Sequence, residues 1–356
     1  MTQRRSSPAI FIAGPVLDRI GIIYAPLLAL LLGIIIYASP LRYQQIQIGT
    51  HQDRTSNLFI LCFIYAHLFL VFFRSHGNPA IFRQYPVRFV AAPILLFLSM
   101  LSSNWIAASV AVLAVSWDVY HSCMQTFGIG RIYDARAGND PNIGRQLDQG
   151  LNLLLYAGPI LAGTSLMLHV QLVTPHSGEP HSDQSLFFSA VPAFAMQYQR
   201  VLTRLILCVG IPYLAWYVFS YWRLRRSGYC VSFEKVALLV STGCCSIYTW
   251  GFNSFGQAFF IMNFFHALQY FVIVWKTEGT NLQGRMGLGG KSWGRLPTLL
   301  GFLGIATAFG VWGGLISKQN DASPEQYDVS FCIITVVAIM HFWYDGFIWS
   351  VRKKEV

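Results

Sequence analysis

Long segments of apolar residues, nearly free of charged side chains, recur along the chain from Ile20 onward. Such a run is too long for a buried strand and lacks the alternation of an outer-membrane barrel strand, so it predicts a helix that crosses a lipid bilayer. The composition agrees, because 54% of the 356 residues are hydrophobic and only 11% are charged. The sequence therefore predicts an all-α, polytopic transmembrane helical bundle that forms a single integral membrane domain over residues 1–356.

About ten membrane spans are predicted, because a helix needs about 20 apolar residues to cross the hydrocarbon core. Their approximate boundaries are 18–39, 57–73, 85–102, 105–127, 150–171, 202–222, 233–250, 253–275, 296–316 and 328–351. The first of these segments lacks a cleavage site of small residues. We therefore interpret it as a retained span rather than a signal peptide.

Basic residues are distributed unevenly between alternate loops, which predicts the orientation of the bundle. If the N-terminus is cytoplasmic, 20 of the 25 Lys and Arg residues fall on inner segments. The five on outer segments are Arg42, Arg54, Arg200, Arg204 and Lys318. This bias predicts that both termini are cytoplasmic (N-in and C-in) and that the protein is multi-pass in the plasma (inner) membrane. The net charge of +10 then faces anionic lipid, and no nucleic acid is expected as a partner.

Histidines on four separate spans share one predicted depth. His67, His121, His266 and His341 lie on the second, fourth, eighth and tenth predicted spans, each of which runs from outside to inside. At a rise of 1.5 Å per residue, all four lie roughly 9–15 Å below the inner boundary. Imidazole is a good ligand for iron, copper and zinc, so four histidines at one level predict a metal site. His169, in the outer part of the fifth span, is predicted to take no part.

Carboxylates and amides at helical spacing accompany the four histidines. Asp118, His121 and Gln125 occupy positions i, i+3 and i+7 of one helix and therefore share a face. Asp345 follows His341 by four positions, again on one face. Asp118 and Asp345 are predicted to be metal ligands or catalytic carboxylates that orient an imidazole. Four further residues are predicted to contact and orient the metal ligands without binding the metal themselves: His76, Gln125, Asn263 and Gln269.

The first functional hypothesis is an integral membrane metalloenzyme, an iron-dependent oxidoreductase of the oxygenase, hydroxylase or desaturase type that acts on a lipid or other apolar substrate. The expected cofactor is a transition metal, mono- or dinuclear iron, with zinc or copper as alternatives. Membrane lipids, the apolar substrate and an electron donor or membrane complex are the expected partners. In chemical logic the pattern resembles that of metal-dependent membrane desaturases and hydroxylases and of carotenoid-cleaving membrane oxygenases. The HxxxH and HxxHH clusters of the desaturases and hydroxylases are absent, so no family is assigned.

Two other interpretations of the same residues stay open. A membrane histidine can hydrogen-bond a neighbouring helix and bind no metal. Asp and His within spans also suit a proton or ion path, which would indicate a non-catalytic transporter or a structural subunit of a membrane complex. Metal content distinguishes these interpretations from the enzyme hypothesis.

Aromatic residues crowd the predicted site. They are Trp117, Tyr120, Phe264, Phe265, Tyr270, Phe342, Trp343 and Tyr344. Most of them suit core packing or contact with lipid. An alternative hypothesis is a hydrophobic pocket that an acyl chain or polyene enters sideways from the bilayer.

A glycine pair follows the polar segment of the fourth span. Gly128 and Gly130 predict a helix terminus or a close turn, because glycine tolerates conformations that end helices. Arg131 and Arg136 come directly afterwards. They are candidates to hold a headgroup phosphate, although ordinary positive charges of an inner loop explain them equally well.

Overall fold

The computed structural model describes residues 10–48, 51–163, 197–252, 255–319 and 329–349. Within these ranges the chain is mostly helical, as predicted. The first helices are α1 (Pro15–Asp18), α2 (Ala25–Ala38), α3 (Thr55–Arg74), α4 (Pro79–Gln84), α5 (Pro86–Ser102) and α6 (Asn104–Arg136). They are followed by α7 (Arg145–Gly163), α8 (Gln199–Arg226), α9 (Phe233–Phe252), α10 (Phe255–Arg285), α11 (Arg295–Gln319) and α12 (Val329–Ile348).

The first predicted span is broken near its start. Pro15–Ile23, which ends in a π-helical turn over Arg19–Ile23, meets α2 at an angle of 57°. Pro26 lies in the first turn of α2, where its missing N–H costs no helical hydrogen bond. The buried Asp18 carboxylate fixes the preceding turn, because it accepts hydrogen bonds from the backbone N–H groups of Ile12 (2.5 Å) and Ala13 (2.7 Å).

A short hairpin, which the sequence did not predict, connects α2 to α3. Its strands β1 (Gln45–Ile48) and β2 (His51–Arg54) pair in antiparallel register, with Gln45 opposite Arg54 and Ile48 opposite His51. The alternation of Gln and Ile along β1 suits a strand. The hairpin adds two short strands to a chain that is otherwise helical in the described ranges.

Helix α6 continues for 33 residues, past the glycine pair that was predicted to end it. That prediction was wrong. Gly130 faces Lys235 of α9, whose Cγ would lie in ordinary van der Waals contact, 3.5 Å, with a Cβ atom placed at this position. The helical turn after Gly130 carries Arg131 and Asp134, both buried. Their burial makes this turn part of the packed interior rather than a loop.

The buried charges at this end of α6 form one balanced group, here called the four-charge cluster: Arg131, Asp134, Asp148 and Lys235. The Arg131 guanidinium donates to Asp134 at 2.7 Å and to Asp148 at 2.6 Å. The Lys235 ammonium donates to the same two carboxylates at 2.7 and 3.0 Å. Two positive and two negative charges therefore compensate one another away from water, as buried charges require.

Arg131 is consequently not free to bind a headgroup phosphate. It also donates to the backbone carbonyls of Pro141 (2.9 Å) and Ile143 (2.8 Å) and so holds the loop between α6 and α7. Arg136, the second candidate, donates to the carbonyl of Phe11. Both arginines tie chain segments together.

Long apolar helices support the membrane assignment. In the described ranges, five helices are long and apolar enough to cross a membrane, or six if the bent pair at the N-terminal end counts as one span. The five are Asn104–Arg136, Gln199–Arg226, Ala258–Arg285, Ser292–Ile316 and Val329–Ile348. Shorter apolar segments, Leu58–Arg74 and Pro86–Ser102, occupy the second and third predicted spans.

Candidate metal centre

Four helices bring the four predicted histidines together in the interior. Helix α10 packs against α3, and α12 packs against both α3 and α6. The His67 ring lies 5.2 Å from that of His266 and 5.0 Å from that of His341, centroid to centroid. The His121 ring lies 4.9 Å from each of the same two rings. All four side chains are buried.

The ring nitrogens of this histidine cluster are largely unpaired. Among the described residues, no hydrogen bond reaches either nitrogen of His67, His266 or His341, nor the Nε2 of His121. The His67 ring approaches the backbone of Ile64, and the His341 ring that of Leu68, but neither contact has hydrogen-bond geometry. Each buried unpaired polar group costs about 1–3 kcal/mol. Interhelical hydrogen bonding therefore does not explain why these imidazoles are buried together.

The donor atoms are close enough to share an ion. One nitrogen each of His67, His266 and His341 lie within 4.8 Å of one another, as do donor atoms of His121, His341 and Asp345. Two nitrogens bound to one ion at about 2.1 Å can be at most about 4.2 Å apart, so movements of less than an ångström would close either group around a metal. His341 belongs to both groups, so the cluster suits one ion or two adjacent ions.

Asp345 is held in place on one side and faces the histidines on the other. Its Oδ1 accepts hydrogen bonds from the Tyr270 hydroxyl at 2.7 Å and the Trp349 indole N–H at 2.8 Å. Its Oδ2 lies 3.6 Å from the Nε2 of His121 and 3.9 Å from that of His341. A carboxylate oriented in this way can bind a metal directly or fix the tautomer of an adjacent imidazole.

Asp118 and the predicted amides lie beside the cluster but outside both groups of donor atoms. The Asp118 carboxylate faces the side-chain amide of Asn263. Gln125 donates to the Gln269 side-chain oxygen at 3.0 Å and also to the backbone carbonyl of His266 at 3.0 Å. Gln269 in turn donates to the carbonyl of Ile22 at 2.9 Å. These amides fix α10, which carries His266, against α6 and the bent N-terminal segment.

His76 lies away from the histidine cluster. Helix α3 ends at Arg74, and the His76 ring stacks on Phe72 with a centroid distance of 4.7 Å. Its Nε2 lies 3.2 Å from the backbone carbonyl of Phe89. Partial burial lowers the pKa of His76 below its ordinary value, which favours the neutral ring. The structure thus shows His76 anchoring α5, and it does not place this ring behind the predicted ligands. His169 lies outside the described residues.

A cavity of about 540 Å³ adjoins the cluster, with His121 and Asp345 in its wall. Five of the eight predicted aromatic residues line it: Trp117, Tyr120, Tyr270, Phe342 and Trp343. The other three pack elsewhere, since Phe264 stacks on Phe63, Phe265 is buried in the core and Tyr344 contacts Phe89. The volume is in the range of small-molecule sites, about 300–1,000 Å³.

Sequence reasoning missed the residues near the C-terminal end of α12 that support Asp345. Trp349 follows Asp345 by four positions, a spacing that could have revealed the hydrogen bond between them. The Arg74 guanidinium lies 4.1 Å from the Trp349 ring, donates to the carbonyl of Ile348 and pairs with Glu278 at 2.7 Å. No sequence signal links Arg74 to Trp349, because Arg74 lies at the end of α3 and Trp349 directly follows α12.

The fold and the site together define a class: a mostly helical, membrane-type chain with a buried cluster of four histidines and one carboxylate beside an aromatic cavity. Neither a protein-family model, nor a curated protein, nor a solved structure matches the chain. The function is therefore argued from the site alone.

Replacing Asp345 with Asn is expected to reduce metal affinity by about 10- to 100-fold. If the amide oxygen keeps the hydrogen bonds from Tyr270 and Trp349, the amide NH₂ group faces His121 and His341, where it repels a cation. Equilibrium dialysis with Fe²⁺ measures the change. Tyr270→Phe is the matched control, because it removes one hydrogen bond and keeps the carboxylate. An Asp345→Asn protein with unaltered affinity would contradict a role of this carboxylate in metal binding.

Proposed function

We propose that the protein is an integral membrane metalloenzyme, an iron-dependent oxidoreductase that acts on a lipid or other apolar substrate. The single observation that carries this proposal is the set of buried imidazole nitrogens that converge without hydrogen-bond partners. Their donors are His67, His121, His266 and His341, and Asp345 contributes a carboxylate. Imidazole with a carboxylate is a donor set typical of iron that reacts with oxygen.

Each residue has a definite role in this proposal. The histidines hold the metal, which would supply redox chemistry toward dioxygen. Asp345 orients His121 and His341 or binds the metal itself, and Tyr270 and Trp349 hold Asp345. The aromatic wall of the cavity binds the apolar substrate and excludes water from the site. An electron donor, either a separate protein or a membrane complex, would complete the cycle.

Elemental analysis of the detergent-purified protein tests the proposal. At least one equivalent of iron per chain is expected, and removing it with a chelator should lower the midpoint of thermal unfolding, because an ion that binds only the folded state stabilises that state. Zinc or copper in place of iron would keep the metal site and change the chemistry. The absence of any stoichiometric transition metal would favour the transporter or structural-subunit hypothesis instead.

The proposed topology has about ten spans in the plasma (inner) membrane, with both termini cytoplasmic. Its support is the distribution of basic residues, of which only five of 25 fall on outer segments. In this orientation the histidine cluster lies in the inner half of the bilayer.

Cysteine labelling at Ser177 tests this orientation. Position 177, outside the described residues, is predicted to lie in the external loop that contains His176 and His181. A Ser177→Cys protein should therefore react with a membrane-impermeant maleimide in intact cells, above the background of the parent protein. A cysteine introduced at Ser227, at the end of α8, is the inner-side control and should react only after lysis. The reverse pattern would overturn the span count.

A further inference from the structure

The cavity beside the histidine cluster continues toward a second cavity at the cytoplasmic end. His121 and Arg131, ten positions apart on α6, both line the first cavity, so it follows about 15 Å of the helix. Asn142 and Arg145 line both this cavity and a second, more open one of about 830 Å³. The second cavity lies between the start of α7 and the end of α8, where Arg223 forms part of its wall. The two cavities thus adjoin one another at Asn142 and Arg145, and together they are here called the path.

The end of the path at the second cavity carries positive charge, and no acidic residue of the cavity wall neutralises it. Arg145 and Arg223 are exposed, and neither side chain makes an ion pair or hydrogen bond with another residue of the described ranges. No Asp or Glu lines the second cavity. The contrast with Arg131 is clear, because Asp134 and Asp148 neutralise that guanidinium. The first turn of α7, which begins at Arg145, also borders this cavity.

The end of the path near His121 is mainly aromatic instead. Aromatic side chains dominate the wall there, and Asp345 is the acidic residue that lines this cavity. An anionic group is attracted to Arg145 and Arg223, whereas the aromatic wall favours an apolar chain. A ligand with one anionic end and one apolar chain therefore has a single favourable orientation in the path.

Resting on the proposed function, we propose that the substrate is an anionic amphiphile: a long acyl or isoprenoid chain that carries one carboxylate or phosphate group. The headgroup binds between Arg145 and Arg223, and the chain lies in the aromatic cavity with its apolar carbons against His121 and Asp345. The metal centre thus meets the chain at a distance from the headgroup.

Quenching of tryptophan fluorescence by stearate that is dibrominated at mid-chain tests this binding mode. Bromine quenches tryptophan on contact, and Trp117, Trp343 and Trp349 line the aromatic cavity. The acid is expected to quench saturably, to be displaced by unbrominated stearate and to bind about tenfold more tightly than its methyl ester, because charge-assisted hydrogen bonds to arginine are lost in the ester. Arg145→Gln should weaken acid binding by about the same factor and leave ester binding unchanged.

Arg225→Gln is the matched control, because Arg225 is an exposed arginine of α8 that lines neither cavity. It should bind like the wild type, and Arg145→Lys, which keeps the charge, should recover most of the affinity. Quenching that does not saturate, or that is equal for acid and ester and insensitive to Arg145→Gln, would overturn the proposal. If dibrominated phosphatidic acid shows the Arg145 dependence and stearate does not, the anionic amphiphile is a membrane phospholipid.

The metal proposal and this one can fail separately. Arg145→Gln should retain the metal content of the wild type, because Arg145 does not contact the histidine cluster. Arg145-dependent binding by a protein that purifies without metal would refute the metalloenzyme and leave the amphiphile site. A metal-loaded protein whose quenching does not depend on Arg145 would refute the amphiphile site and leave the metalloenzyme.

Discussion

Replacement of His341 by alanine is expected to lower the metal content of the purified protein by at least tenfold, a loss at least as large as that of any other single histidine variant. His341 contributes to both groups of donor atoms, one with His67 and His266 and one with His121 and Asp345. Its removal therefore weakens every arrangement in which an ion can be held. Inductively coupled plasma mass spectrometry of protein purified in parallel with the wild type measures the loss.

Comparison with the other histidines distinguishes one ion from two. For a dinuclear centre, His67→Ala and His121→Ala should each retain part of the metal, since each removes a donor from only one group. For a mononuclear centre, only one of the two groups binds the ion. Removing the donor found only in the other group should then leave the metal content unchanged. His76→Gln is the control histidine and should keep the full metal content. The proposed centre would be refuted by a His341→Ala protein that is folded and retains its metal.

Replacement of Asp148 by Asn is expected to destabilise the fold by about 3–5 kcal/mol, the usual cost of removing one partner from a buried ionic group. The Asp148 carboxylate accepts from Arg131, Lys235 and the hydroxyls of Tyr217 and Tyr221, the last two at 2.8 and 2.7 Å. The amide cannot balance the two cations, so a positive charge is left buried. Equilibrium unfolding in mixed detergent micelles measures the free energy.

A second substitution separates charge balance from the loss of hydrogen bonds. In the double variant Asp148→Asn/Lys235→Met, one cation and one anion remain, so at least half of the lost stability should return. Asp140→Asn is the matched control, because Asp140 is an exposed carboxylate in the loop before α7 and should change stability by less than about 0.5 kcal/mol. If the double variant is less stable than Asp148→Asn alone, charge imbalance is not the cause.

Local patterns in the sequence were sufficient to predict the helical class and the residue types of the site. Apolar runs without charges leave the backbone no partners in a bilayer except those within a helix. The spacing of Asp345 from His341, and the equal depth of four histidines on separate spans, follow from the helical rise and repeat alone. These features depend on positions within one segment at a time, so they can be read before any tertiary contact is known.

Tertiary packing decided which of those residues meet. Helical spacing predicted Asp118 and Asp345 equally as metal ligands. Of the two, only Asp345 shares a group of donor atoms with the histidines. Tyr270 of α10 and Trp349 hold its carboxylate there. The glycines of α6 suited a helix end, yet α6 continues to Arg136, and the turn after Gly130 is held in the interior by the ion pairs of Arg131 with Asp148 and of Asp134 with Lys235. Arg131 and Arg145 are both arginines of the predicted inner side, and only the folded chain neutralises one and leaves the other at a cavity. In each case the deciding contact joins segments far apart in the chain, and local periodicity contains no information about such a contact.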